Sequence, residues 1–231
     1  MNTAAPHINR NAGPAGVPVP GPVLLVGNPN AGKTTLFNQI TGLSGNGIVV
    51  GIADTGLGDG TTPNAGHADY AGRVIGGMSY DAGAWDDRHG HGTHCAGLIV
   101  ANGYAGTGVT YAGYGPYYAG MGLAYDADIY AQKIFGNTAS WIGPTDRGMI
   151  LVDGYAGGAR IHSNSWGAST YGAYNLCDVQ YDTRVRDADP NTPGNQQILA
   201  IVAAGNDGSG TNTIGSPGLS LIHISEPTRP Y

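Results

Sequence analysis

Short apolar runs that end in glycine-rich or polar segments recur along the chain. Residues 48–53 form a continuous apolar run, the pattern of a strand buried on both faces of a parallel sheet, and residues 198–204 predict a second buried strand. Between them, small and apolar residues after His91 predict a helix that ends at Gly103. The first run ends at Asp54, and the working groups of open α/β sheets lie at the carboxyl ends of strands. Asp54 is therefore a catalytic candidate by its position.

Composition narrows the class of protein. The 41 glycines and the charged fraction of 11% fit a low-complexity chain or a loop-heavy α/β protein, and the apolar runs favour the second. The net charge of −6 argues against nucleic acid or an anionic membrane as partner, and no stretch approaches the roughly 20 apolar residues that cross a bilayer. Residues 1–20 lack the apolar core of a secretory signal and predict a disordered lead-in. Cys95 and Cys177 are expected to be separate free thiols.

A phosphate-binding motif lies near the amino end. Residues 23–26 predict a short strand, residues 27–34 match G-x-x-x-x-G-K-[ST], and residues 35–41 predict the following helix. Residues 21–44 closely resemble the start of the GTPase domain of the ferrous-iron transporter B family. The N-K-x-D that reads guanine and a suitably placed D-x-x-G are absent, so we expect a P-loop fragment that binds neither GTP nor Mg²⁺. The residues that would contact a nucleotide in such a loop are Gly27, Asn30, Gly32, Lys33, Thr34 and Thr35.

Two segments combine residue types that serve in acyl transfer. V-V-G-I-A-D-T-G-L contains Asp54, and H-G-H-G-T-H-C-A-G places His91 at a helix start. Together they resemble the Asp and His segments of the subtilisin-like (S8) peptidases. This resemblance implies a three-layer α/β fold on a parallel sheet and a serine endopeptidase in which Asp54 orients His91, the general base. We expect His94 to be a packed helix residue rather than a second base.

Three later segments agree with that resemblance. Residues 121–133 resemble the strand before the family's substrate cleft, residues 159–167 the segment that pairs with substrate, and residues 198–208 the oxyanion segment. The resemblance implies that Asn206 is the oxyanion donor, that the substrate is a polypeptide, and that catalysis needs no cofactor, while Ca²⁺ is a frequent structural ion. The implied substrate-channel residues are Ser163, Asn164, Ser165, Trp166 and Gly167. No metal site is predicted, because the spacing of the available carboxylates specifies none; these are Asp59, Asp69, Asp81 and Asp86.

The nucleophile segment of the family, G-T-S-M-A, does not occur in the 231 residues. We therefore expect an incomplete subtilase domain over residues 45–218, truncated before the catalytic-serine helix and inactive as this chain. The family resemblance implies that the parent protease is secreted, while the sequence leaves the location of this chain unknown. Residues 219–230 resemble the translation of a transposase adapter used in sequencing libraries, which predicts a non-native tail over 219–231 with accidental Ser220, His223 and Ser225. Two alternatives stay open: a GTP-binding fragment of a ferrous-iron transporter, and a binding-only pseudoprotease.

Overall fold

A computed structural model describes residues 44–103, 108–111, 114–118 and 120–221. The predicted lead-in, the P-loop with its candidate residues, and the tail from residue 222 onward lie outside the described residues.

The described residues form a central sheet of five parallel strands in the order β2-β5-β1-β6-β7. These strands are β1 (Val49–Asp54), β2 (Val74–Ser79), β5 (Asp128–Lys133), β6 (Ile161–Asn164) and β7 (Leu199–Val202). A separate antiparallel pair consists of β3 (Gly108–Tyr111) and β4 (Tyr114–Tyr118). β1 lies in the middle of the sheet, with Val50 in register with Ile129 of β5 and with Ile161 of β6. The predicted run at 48–53 is thus confirmed as a central strand, displaced by one residue.

The helices of the described residues are α1 (His91–Val100), α2 (Met149–Ala156) and α3 (Leu176–Arg186), and a 3₁₀ turn spans Ala68–Tyr70. α3 begins with a capping box, in which Asn175 Oδ1 accepts from the Cys177 N–H (2.8 Å) and Asp178 Oδ2 accepts from the Asn175 N–H (2.8 Å). None of the helices in the described part of the chain is long and apolar enough to cross a membrane.

The two faces of the sheet carry separate cores. Val50 and Ile52 of β1 pack with Ala96 and Val100 of α1 on one face. On the opposite face, Ala53 packs with Ile150 of α2, and a further cluster joins α2 to α3 and β7. Successive side chains of a strand point to opposite faces, so an apolar run such as β1 can fill both cores. This is the three-layer α/β fold that the sequence predicts.

Three predictions about local structure were wrong in detail. α1 ends at Val100 rather than at Gly103, because Ala101 turns extended and its carbonyl accepts the Gly122 N–H at 2.7 Å. His94 is exposed rather than packed. β7 is not buried on both faces: it lies at the edge of the sheet, where Leu199 and Ile201 are 57% and 54% exposed.

Candidate active site

Asp54 and His91 meet at the carboxyl end of β1. Asp54 is the last residue of the strand and is 2% exposed, and its Oδ1 accepts the Thr55 N–H at 2.8 Å. The same Oδ1 lies 2.7 Å from Nδ1 of His91, the first residue of α1. A carboxylate can only accept, so Nδ1 is the donor, and in the neutral ring this tautomer places the lone pair on Nε2. This geometry makes Nε2 of His91 a proton acceptor on a side chain that is 47% exposed.

The position of His91 depends on how α1 begins. The N-cap is Gly90, at φ 93°, and it supplies no side chain to cap the helix. Asp87 takes over this role by accepting from the N–H groups of Gly90 (2.7 Å) and Thr93 (2.8 Å) and from the Thr93 hydroxyl (2.7 Å). Burial raises the pKa of Asp87, but these hydrogen bonds outweigh it and hold the pKa below its ordinary value. An ionised carboxylate therefore fixes the first turn of the helix.

The helix start also approaches the strand end closely. The N–H of Gly92 donates to Thr55 Oγ1 at 2.9 Å, and the Thr55 hydroxyl donates to Asp87 at 2.9 Å. A Cβ at position 92 would lie 2.3 Å from the carbonyl oxygen of Gly56. Only glycine fits between the helix and the strand end, and this proximity brings His91 within reach of Asp54.

Lys133 anchors the loop that leads into α1. Its ammonium, on a side chain that is 4% exposed, donates to the backbone oxygen (2.7 Å) and the carboxylate (3.2 Å) of Asp86 and to Asn137 Oδ1 (2.8 Å). Arg88 also pairs with Asp86. Asp86 immediately precedes the capping residue Asp87, so this ion pair holds the loop at the end of β5.

A thiol lies beside the imidazole. Cys95 Sγ is 3.7 Å from Nδ1 and 3.9 Å from Nε2 of His91, and both cysteines are free, as predicted. The ligand-type atoms of Asp54, His91 and Cys95 lie within 4.8 Å of one another, which is a spacing that could hold a metal ion. Burial raises the pKa of Cys95 more than the hydrogen bond with Ser165 lowers it. The thiol therefore stays protonated, and a protonated thiol is a weak metal ligand. The arrangement fits proton transfer by His91 better than metal binding.

A cleft of about 200 Å³ brings together segments that are distant in the sequence. Its lining residues are Ser165, Trp166, Gly167, Ala168, Ser169, Ala203, Gly205, Asn206, Asp207 and Gly215. Four predicted site residues are thus gathered here: Ser165, Trp166, Gly167 and Asn206. Ser165 also hydrogen-bonds to Cys95, the thiol beside His91, so one wall of the cleft contacts the residues that surround the Asp54–His91 pair.

The other two predicted channel residues lie inside the protein. Ser163 is 7% exposed and Asn164 is 1% exposed, and both belong to β6. Asn164 Oδ1 accepts from the Tyr181 hydroxyl at 2.9 Å, and its amide donates to the Ile201 carbonyl at 3.3 Å. Asn164 therefore fixes the strand that leads into the cleft wall.

Aromatic rings support that wall from behind. Trp166 packs against Trp141 (ring centroids 5.2 Å apart) and Tyr181 (6.1 Å), and Trp141 in turn contacts Phe135 at 5.3 Å. The guanidinium of Arg147 lies 3.9 Å above the Trp141 ring. This stack holds Trp166 in a fixed position at the cleft.

Sequence reasoning missed several lining residues. Asp207 follows Asn206 directly, so adjacency to a predicted site residue was a usable signal. Ser169 and Gly215 had no such signal; they reach the cleft because residues 168 and 216 pair as an isolated bridge. Ser220, predicted to be accidental, is fully buried and its hydroxyl donates to Asp182 at 2.5 Å. His223 and Ser225, the other two residues predicted to be accidental, lie outside the described part of the chain.

The described residues thus combine a three-layer parallel α/β fold with a buried aspartate that pairs with a histidine at the carboxyl end of the central strand. The chain belongs to the subtilase family, whose family model matches residues 45–225. It is 29% identical over 184 residues to a subtilisin of Bacillus sp. (strain TA39). This aligned region covers 75% of this chain and 37% of that protein. It is 28% identical over 169 residues to thermitase of Thermoactinomyces vulgaris, which covers 71% of this chain and 50% of that protein.

A solved structure described as a cold adapted subtilisin-like serine proteinase matches with a TM-score of 0.49 and 20% identity, over 77% of this chain and 53% of that chain. The chain spans 37% of the length of the Bacillus subtilisin and 50% of the length of thermitase.

Proposed function

We propose that residues 45–218 are the Asp- and His-bearing part of a serine endopeptidase, and that a polypeptide of these 231 residues does not hydrolyse peptides by itself. The observation that carries the proposal is the 2.7 Å contact between Asp54 Oδ1 and His91 Nδ1 at a buried strand end. Membership of the subtilase family supports the endopeptidase lineage and a polypeptide substrate.

In this chemistry each residue has a distinct role. Asp54 would hold the imidazole of His91 with its proton on Nδ1, so that Nε2 accepts the proton of an attacking serine hydroxyl. Asn206, which lines the cleft, would donate its side-chain N–H to the oxyanion that develops on the substrate carbonyl. Ser165, Trp166 and Gly167 would contact the peptide beside the scissile bond.

The proposed lack of activity follows from the nucleophile. No G-T-S-M-A segment occurs in the 231 residues, and removing the nucleophile of such a triad costs about 10⁶-fold in kcat. Cys95 does not substitute for it, because the thiol is 9% exposed and burial raises its pKa.

Two measurements test the proposal. The purified chain should neither react with a fluorophosphonate probe nor cleave a fluorogenic peptide above the buffer rate. A chimera that joins residues 45–218 to the part of thermitase after the aligned region should cleave the peptide, and His91→Ala should abolish this. Cleavage by the unextended chain would contradict the proposal. A folded chimera that keeps its activity after His91→Ala would also contradict it.

A binding-only role is the second candidate. The observation that favours it is the cleft, which forms without a nucleophile segment. Peptide binding by the unextended chain without hydrolysis would support this role, and absence of binding would exclude it.

A further inference from the structure

We infer that the helix predicted over residues 35–41, just after the P-loop, packs on an exposed apolar surface between α1 and the edge strand β7. This surface, the β7 trough, is lined by Leu98 of α1 and by Leu199 and Ile201 of β7. The inference gives the P-loop segment a structural role that needs no nucleotide. It does not depend on the proposed function.

Two apolar side chains of β7 form one side of the trough. Ala200 packs in the core that joins β7 to α2 and α3. Side chains alternate along a strand, so Leu199 and Ile201 point to the opposite face of the sheet, which is the face that carries α1. Both are more than half exposed. Within the described part of the chain, this end of the sheet therefore has an uncovered apolar face.

The flank of α1 forms the other side. Cys95 hydrogen-bonds to Ser165, which directly follows β6, so this flank of the helix looks toward β6 and β7. Leu98 lies three residues after Cys95, on the same flank, and is 60% exposed. A space bounded by a helix flank and the adjoining sheet suits a second helix, because packed helices lie about 8–10 Å apart.

The predicted helix has an apolar side that needs cover. Leu36, Phe37 and Ile40 are spaced to lie on one side of a helix, and residues 34–43 include no charged side chain. A helix with such a stripe is stable only when the stripe packs against another element. The trough offers aliphatic side chains to this stripe.

The covalent connection places the helix end beside the trough. The described chain begins at Ser44, whose carbonyl accepts from the Asp126 N–H at 2.9 Å. Two residues earlier, the Ala124 N–H donates at 2.7 Å to the carbonyl of Ile99, the neighbour of Leu98 in α1. Residues 41 and 44 are three steps apart, a span of at most about 11 Å. The predicted helix therefore ends close to the carboxyl end of α1, where Leu98 borders the trough.

The strand predicted over residues 23–26 agrees with this placement. It has four residues, as β7 does, and would extend the sheet at the β7 edge. The connections β5-α2-β6 and β6-α3-β7 run toward that edge with their helices on the face opposite α1. A connection of the same hand that runs back from the edge to β1 must carry its helix on the α1 face. The trough lies on that face.

Phe37 supplies the reporter, because it is one of only two phenylalanines in the sequence. In the full chain with labelled phenylalanine rings and isoleucine methyl groups, we expect nuclear Overhauser contacts between the Phe37 ring and the Ile201 methyl groups. Phe37→Leu and Ile201→Val assign the signals. Phe135 is the internal control for folding, because it packs against Ile134 and Ile150.

Two variants of equal charge test the apolar stripe. Ile40→Asp should weaken docking by about 100-fold, because it forfeits the burial of an aliphatic side chain and desolvates a charge. It should therefore abolish the contact between Phe37 and Ile201. Asn38→Asp adds the same charge on the opposite side of the predicted helix and should preserve the contact.

Four results would overturn the inference. One is a missing contact between Phe37 and Ile201 in a chain whose Phe135 contacts are intact. Another is a contact that persists in Ile40→Asp. Contacts of Ile201 with Ile222 or Ile224 would show that the tail covers the trough instead. Contacts found only between chains in a mixture of ring-labelled and methyl-labelled protein would show that a second copy covers it.

Discussion

Lys133 and Asp86, which are 47 residues apart in the sequence, form a largely buried ion pair at the loop that leads into α1. The ammonium of Lys133 also donates to the Asp86 backbone oxygen at 2.7 Å, so the pair fixes the main chain of the loop and not only a side chain. The loop continues into Asp87 and then into His91, and its anchorage therefore contributes to the placement of the His91 side chain.

Lys133→Met should destabilise the chain by about 3 kcal/mol, because it leaves the Asp86 carboxylate in a partly buried place without its ammonium partner. Arg88→Met is the matched control: it removes a cation that also pairs with Asp86, but whose side chain is 71% exposed, and should cost less than about 1 kcal/mol. Urea unfolding followed by circular dichroism measures both. Equal effects of the two substitutions would show that the buried position of Lys133 confers no special role.

Asp87→Ala should lower the free energy of unfolding by about 1–2 kcal/mol, since it removes the carboxylate that caps the first turn of α1. The depressed pKa of Asp87 gives the pH dependence its sign: its contribution is complete above the ordinary aspartate pKa and is lost as the pH falls through the lower folded value. The difference between Asp87→Ala and the unmodified chain should therefore shrink only in strong acid. A difference that already vanishes near pH 6 would contradict this assignment.

His162 should make the stability of the chain depend on pH in a higher range than Asp87 does. Its ring is fully buried, Nε2 lies 2.5 Å from Gln132 Oε1, and burial lowers the pKa of His162 from 6.5 to about 4. The unfolded chain binds this proton more readily, so stability is complete above pH 6.5 and decreases by about 3 kcal/mol as the pH falls to about 4.

The measurement is the urea midpoint at pH 7 and at pH 4.5, for the unmodified chain and for His162→Gln. His162→Gln should be less stable at pH 7 but lose less stability between the two pH values. If both chains lose the same amount, another group controls the acid sensitivity.

Tyr181→Phe should cost about 1–3 kcal/mol, because it leaves Oδ1 of the buried Asn164 without the hydrogen bond that the Tyr181 hydroxyl donates. Tyr174→Phe is the control, since its hydroxyl donates to Asp182 at 2.6 Å on an exposed side chain and water can replace it. Thermal unfolding compares the two. A loss in Tyr174→Phe as large as that in Tyr181→Phe would argue against burial as the cause.

The sequence by itself determined the parts of this protein that depend on contiguous residues. A run of apolar residues ending in Asp54 is enough to predict a central strand with a carboxylate at its end, because the alternation of side chains along a strand fills both cores. The H-G-T-H segment placed His91 at a helix start, and the structure confirms this start, whereas the helix end, predicted at Gly103, is set at Val100 by the contact of Ala101 with Gly122. The family could be recognised from such segments in order.

Only the tertiary structure decided which distant residues meet. The pairing of Lys133 with Asp86, the burial of Asn164 against Tyr181, and the presence of Ser169, Asp207 and Gly215 in one cleft depend on strand register and loop paths. The same holds for Leu199 and Ile201 of β7, which are half exposed because the strand occupies the sheet edge. The hydrophobic pattern of the sequence predicts which side chains favour burial. Which residues cover such a side chain depends on contacts between segments that are far apart in the chain.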